Sequence, residues 1–171
     1  MIKELISNQK VNERIAELGR EITDFYKDRP LTVITLLNGG MFFGADLIRK
    51  IDMQLTIDTM ALASYEEQKS TGIATLRSQL KKSVGGRDLL VVDDILDTGL
   101  SIKYTMDYLK KLHPASIRTC VLLNKINPKR PPEIKTDWYG FEIPDKFVVG
   151  FGLDYNELYR NLPFIGVVEP D

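Results

Sequence analysis

Apolar and polar positions along the chain switch between two periods, and the switches mark out a strand–helix succession. Val11, Ile15, Leu18, Ile22 and Phe25 recur at helical steps, which predicts an amphipathic helix with one buried face. Arg29-Pro30 stops it, because the residue before a proline is driven out of the helical region. Leu31–Leu37 is largely apolar and reads as a strand buried on both faces; Asn38-Gly39-Gly40 breaks it before a helical segment over 41–50. Residues 53–63 alternate roughly and predict a third strand. The stretch 64–80 is polar and aperiodic, with a short β-like piece over 75–80, and an excursion of that kind inside a compact domain is functional or disordered. Further strands are expected at 89–92 and 117–123, with a helix over 100–112 between them. Residues 164–168 predict a final edge strand. This alternation implies an α/β fold: a central parallel twisted sheet flanked by helices, with the aromatic C-terminal part as a small flap over its carboxyl edge.

The run Leu89-Leu90-Val91-Val92 leads into Asp93-Asp94, so two adjacent carboxylates stand at the carboxyl end of a buried strand. Open α/β sheets bind ligands at that end. Asp97-Thr98-Gly99-Leu100-Ser101 follows and opens the next helix. Small and hydroxyl residues at a helix start present unpaired backbone N–H groups and the positive end of the helix dipole, which together cradle phosphate. Acceptors beside such a cradle suit a ribose phosphate. The pair also reads as the metal-binding carboxylates of another phosphate enzyme or as a plain strand–turn–helix, and Asp97 as a simple N-cap. Asn38-Gly39-Gly40 carries the same two readings, bound anion or tight turn.

Composition narrows the classes. The 171 residues fit one domain, and 43% apolar content describes an ordinary globular protein. Lys plus Arg (23) nearly balances Asp plus Glu (24), so no broad field for nucleic acid or an anionic membrane is implied, and any anionic ligand must be held locally. The single cysteine, Cys120, lies in an apolar run and is expected to be a buried strand residue. His113, the only histidine, falls near a helix end, where a structural role is expected. No signal-peptide pattern or long apolar stretch occurs, which leads us to expect cytoplasmic residence.

Several stretches, in order, resemble a known family. They are Leu37-Asn38-Gly39-Gly40, Ser64-Tyr65, Val91 to Ser101, Leu122-Leu123-Asn124-Lys125, Gly140 to Gly150 and Leu153-Asp154-Tyr155-Asn156-Glu157. Together they are similar to the type I phosphoribosyltransferases, and the last two mark the 6-oxopurine, hypoxanthine (guanine), branch. The resemblance implies transfer of a 5-phosphoribosyl group from magnesium-bound phosphoribosyl pyrophosphate (PRPP) to N9 of hypoxanthine or guanine. It implies that Asp93 and Asp94 hold the ribose hydroxyls and that Asp97, Thr98, Gly99, Leu100 and Ser101 hold the 5-phosphate. Asp97 would exchange a proton with N7 of the base. Lys125 would donate to O6, Phe147 would stack on the ring, and the Val148 backbone with Asp154 would meet the base edge. Asp154, with Asp93 and Asp94, would hold Mg2+. Asn38 and Gly39, joined by a cis peptide, and Arg160 would hold pyrophosphate. Ser64 and Tyr65 would begin a loop that closes over an oxocarbenium-like transition state.

The resemblance further implies one domain over 1–171, with a core mainly over 10–126 and a base-binding flap from about 127–171 joined by the N-terminus. Partners would be small molecules, with no nucleic acid and no membrane, and the chain would form a homodimer or homotetramer. Three departures bear on these roles. Asp93 stands where the branch usually has Glu, Asn38 where some relatives have Lys, and Ala63 and Glu66 flank Ser64-Tyr65. Two rival readings remain: a regulatory protein on the same fold that binds PRPP or nucleotide and then RNA or DNA, and the same chemistry with xanthine or another base preferred.

Overall fold

The computed structural model describes residues 1–62 and 80–169. Eleven elements follow in order: β1 (Ile2–Ile6), α1 (Asn8–Tyr26), β2 (Leu31–Leu37), α2 (Met41–Ile48), β3 (Leu55–Ala61), β4 (Asp88–Leu96), α3 (Leu100–Lys110), β5 (Ser116–Lys125), β6 (Trp138–Ile143), β7 (Val148–Val149) and β8 (Ile165–Val168). The polar excursion with Ser64 and Tyr65, and the expected β piece up to residue 79, lie outside the described residues.

Five strands form the main sheet in the order β3-β2-β4-β5-β6, every neighbouring pair parallel. Helix α1 begins at Ser7, whose hydroxyl accepts from the Lys10 N–H, and it buries Val11, Ile15, Leu18, Ile22 and Tyr26. The helical period holds, but its last buried member is Tyr26. Phe25 is half exposed and lies under the Arg29 and Arg118 guanidiniums. Strand β4 shows why its sequence lacks alternation. Leu90 and Val92 join the α1/α2 core while Leu89 and Val91 join the α3 core on the other face, so both faces are dry. Cys120 is buried in β5, and burial pushes its thiol pKa up.

The remaining strands form a second, antiparallel sheet in the order β1-β8-β7. Two expectations are corrected here. Strand β8 is central to the small sheet, not an edge, because β1 from the far end of the chain pairs along it. Strand β6 belongs to the main sheet: it pairs with Cys120 to Lys125, and the Trp138 ring packs edge-on to Phe25 at 5.2 Å. The main sheet therefore runs to Ile143, and the C-terminal excursion begins after it, not at about residue 127. Among the described residues no helix is long and apolar enough to cross a membrane.

The strand order places a topological switch between β2 and β4, whose following helices turn to opposite faces. Their carboxyl ends open a crevice there, the position where doubly wound sheets take their ligands.

Candidate active site

The crevice is a cleft of about 350 Å³. Gly39, Asp93, Asp94, Asp97, Thr98, Gly99, Ser101, Asp154 and Arg160, all singled out from the sequence, line it together. Asp93 is buried and Asp94 half-buried. Each fixes the turn through backbone N–H groups, Asp94 N–H on the Asp93 carboxylate at 2.9 Å and Ile95 N–H on that of Asp94 at 2.7 Å. Burial holds the Asp93 carboxyl well above the usual carboxylate range, and the Asp94 charge adds to that. Burial lifts Asp94 too, against hydrogen bonding with Asp93 and Ile95 and the charge of Arg160.

Glycines let the walls close in. A Cβ on Gly39 would stand 2.0 Å from an Asp94 carboxylate oxygen, and one on Gly152 would stand 2.0 Å from the Gly39 carbonyl. The cis peptide of this turn joins Leu37 to Asn38, one residue earlier than expected. Strand pairing runs through Leu37, so the turn starts at the Leu37–Asn38 junction.

Helix α3 starts at Gly99, which adopts φ 81 and offers no side-chain cap. Asp97 is therefore not the cap. Its carboxylate turns toward β5, with one oxygen 3.2 Å from the Lys125 ammonium and the other accepting from the Asn127 amide at 2.6 Å. Lys125 is the last residue of β5, and its side chain is nearly buried. It also pairs with Asp145 at 2.9 Å. Burial pulls the Lys125 pKa down, but hydrogen bonds to Asp145 and Asp97 outweigh it and leave the ammonium above its ordinary value. An ammonium has three donors, and these pairs use two.

Phe147 lies just before β7 and is 53% exposed, with its ring edge-on to Tyr155 at 5.5 Å. A core role for this ring is excluded. Val148 is buried and paired to Val167. Asp154 accepts the Glu157 N–H at 2.8 Å and pairs with Arg160 at 2.9 Å, and Arg160 also reaches Glu157 and the Gly152 carbonyl. Among the described residues, no three His, Cys, Asp or Glu side chains are placed to hold a metal by themselves. Asp93, Asp94 and Asp154 share the cleft without forming a closed ligand set.

The structure adds residues that the sequence reading assigned no role. Arg130 points inward and donates to the Leu96 carbonyl and the Asn124 amide oxygen, both at 2.9 Å. Asn127 and Asp145 join Asp97 and Lys125. For Asn127 the only signal was Asn127-Pro128 soon after Lys125, a turn pattern that says nothing about where the amide points, while Asp145 lay within the Gly140 to Gly150 stretch with no role assigned.

A parallel sheet with carboxylates, a glycine-opened helix start and a cation gathered at its switch point defines a doubly wound α/β protein that binds its ligand at the carboxyl edge. Comparison with known proteins gives the family. The phosphoribosyl transferase domain family matches residues 1–156. The chain is 43% identical over 169 residues to a Bacillus subtilis hypoxanthine-guanine phosphoribosyltransferase, covering 98% of this chain and 93% of that one. It is 38% identical over 165 residues to a Tritrichomonas foetus hypoxanthine-guanine-xanthine phosphoribosyltransferase, covering 96% and 90%. A crystal structure of a Staphylococcus aureus hypoxanthine phosphoribosyltransferase superposes with a TM-score of 0.91 at 38% identity, covering 98% of this chain and 91% of that one. The chain belongs to the phosphoribosyltransferase family, in its hypoxanthine–guanine branch.

Proposed function

We propose that this protein transfers the 5-phosphoribosyl group of PRPP to N9 of hypoxanthine and guanine, giving IMP or GMP and pyrophosphate. The observation that carries the reading is the Asp97–Lys125 contact, which sets a proton acceptor and a fixed donor side by side at the ends of β4 and β5. Beside them lies the 350 Å³ cleft, which Asp97 lines, and Asp145 links Lys125 to the exposed Phe147 segment.

Each role follows from the chemistry of its group. The helix start from Asp97 to Ser101 holds the 5-phosphate through backbone N–H groups and hydroxyls. Asp93 and Asp94 accept from the ribose hydroxyls. Gly39, with Asn38, lets the backbone approach pyrophosphate, and Arg160 supplies charge once it exchanges part of its carboxylate pairing for the substrate. The third donor of Lys125 meets O6 of the base, Phe147 stacks on the ring, and the backbone near Val148 and Asp154 reads position 2. N9 bonds to C1 of the ribose as the bond from C1 to the pyrophosphate oxygen breaks, and the N7 proton passes to Asp97.

The donor set fits magnesium carried in by the substrate. It offers hard carboxylate oxygens, too few to cage an ion alone, which matches an ion that keeps water and phosphate ligands. Asp154 would hold it, with Asp93 and Asp94 near. When bound, the ion neutralises charge on the leaving pyrophosphate. The small sheet formed by β1, β8 and β7 would serve as the flap over the base, within a single domain. A homodimer or homotetramer in the cytoplasm accords with this reading.

Pyrophosphate release from Mg-PRPP, measured in parallel with hypoxanthine, guanine, xanthine and adenine, tests it. Turnover with hypoxanthine or guanine and little with adenine is expected. Turnover with none of the four would overturn the reading.

A further inference from the structure

We propose that Asn127 is a positioning residue for Asp97: its amide fixes the rotation of that carboxylate so that the proton acceptor faces the base. The inference rests on the proposed role of Asp97 and goes beyond it, since nothing in the transfer chemistry itself calls for Asn127.

Three observations carry it. First, the Asn127 amide donates to one Asp97 oxygen at 2.6 Å, while Lys125 stands 3.2 Å from the other, so both oxygens are held from the β5 side. Second, the orientation of the Asn127 amide is not a free choice. Its oxygen accepts the Lys129 N–H at 2.9 Å in a side-chain–backbone turn, which leaves the NH2 group as the part that must face Asp97. Third, the same loop returns Arg130 to the Leu96 carbonyl at 2.9 Å and, more weakly, to the Asp97 carbonyl at 3.5 Å. The loop after β5 therefore grips Asp97 by both its side chain and its backbone.

A neutral donor suits this task. A second cation on Asp97 would hold its charge too firmly for it to take a proton, whereas an amide fixes direction and leaves the net charge unaltered. Without Asn127 the carboxylate is tied only through Lys125, which must itself engage the base. Misplacement of a reacting group by an ångström can cost on the order of 100-fold in rate.

Two variants separate this role from a merely structural one. Asn127→Asp keeps the oxygen that closes the turn on Lys129 but puts an acceptor where the donor was; Asn127→Ala removes both. Both should lower kcat by about tenfold or more, with KM for PRPP within about twofold. Asn127→Asp should also move the kcat–pH profile upward, as two facing carboxylates come to share a proton. The deciding measurement is coupling: in an Asp97→Asn background, Asn127→Ala should change kcat by no more than about twofold. If Asn127→Asp keeps kcat within about twofold of the unmodified protein, the donor has no such role. Equal losses from Asn127→Ala in both backgrounds would also overturn the inference, by showing that it does not act through Asp97. Asp97→Asn alone tests the underlying reading: if turnover stays within a few-fold, both the reading and the inference fail; if it falls about 100-fold, only the Asn127 variants decide.

Discussion

Lys125→Met isolates the donor proposed to read position 6 of the purine. Methionine keeps most of the nearly buried stem, so the change chiefly removes the ammonium. The structural cost is bounded by the geometry. The Asp97 partner is 39% exposed, which puts the pair among solvent-screened ion pairs worth about 0.5–1 kcal/mol. For a chain of this length that corresponds to a Tm decrease of roughly 1–4 °C. The effect on turnover should be larger. A charged donor aimed at a developing or polarised oxygen in a closed site contributes about 3 kcal/mol, or roughly 100-fold in kcat/KM. Hypoxanthine and guanine should lose that factor. Adenine should lose nothing, since its amino group meets a donor in the unmodified site and is rejected by on the order of 10⁴-fold. The preference for hypoxanthine over adenine should thus fall to about 100-fold, read by pyrophosphate release under kcat/KM conditions alongside a melting curve. A hypoxanthine kcat/KM within threefold of the unmodified protein, or an unchanged preference over adenine, would refute the assignment.

Two further outcomes follow from the cleft walls. The folded-state pKa of Asp93 is raised, so the folded protein keeps its proton to higher pH than the unfolded chain does. Stability therefore falls as pH rises from the ordinary carboxylate value through the raised one; urea midpoints measured with a chelator present should show that decline, and Asp93→Asn should flatten it, whereas an undiminished slope in the variant would exclude Asp93 as the source. Gly152→Ala places a methyl 2.0 Å from the Gly39 carbonyl at φ 104 and should cost about 3 kcal/mol in chemical denaturation, while Gly85→Ala, with nothing nearer than 3.6 Å, should stay within about 0.5 kcal/mol.

What the sequence determined by itself was local and periodic. The unbroken apolar run of β4 required a strand buried on both faces, the period of α1 required one buried face, and Asp93-Asp94 followed by Asp97 to Ser101 required carboxylates beside a helix start. Those features follow from backbone geometry and burial, which act over a few residues. The motifs in β2, β4, β5 and the C-terminal stretch were legible as well, because each is a contiguous string.

The tertiary structure decided what depends on partners distant in sequence. Whether Asp97 caps its helix or faces Lys125 turns on where β5 ends, 28 residues later, and the structure chose Lys125. Nor could the order of the chain show that β6 joins the main sheet while β8 sits between β1 and β7, since edge and centre differ only in which distant strand pairs alongside. The same holds for Asn127, Arg130 and Asp145. As sequence they are loop polar residues, ordinarily solvated. Asn127 and Arg130 become parts of the site because the segment after β5 folds back over the turn after β4, bringing donors within 3 Å of atoms some 30 residues away, and Asp145, just past β6, brings an acceptor 2.9 Å from the Lys125 ammonium. Long-range pairing of this kind leaves no period in the sequence, because its geometry is set by the sheet and not by the neighbours along the chain.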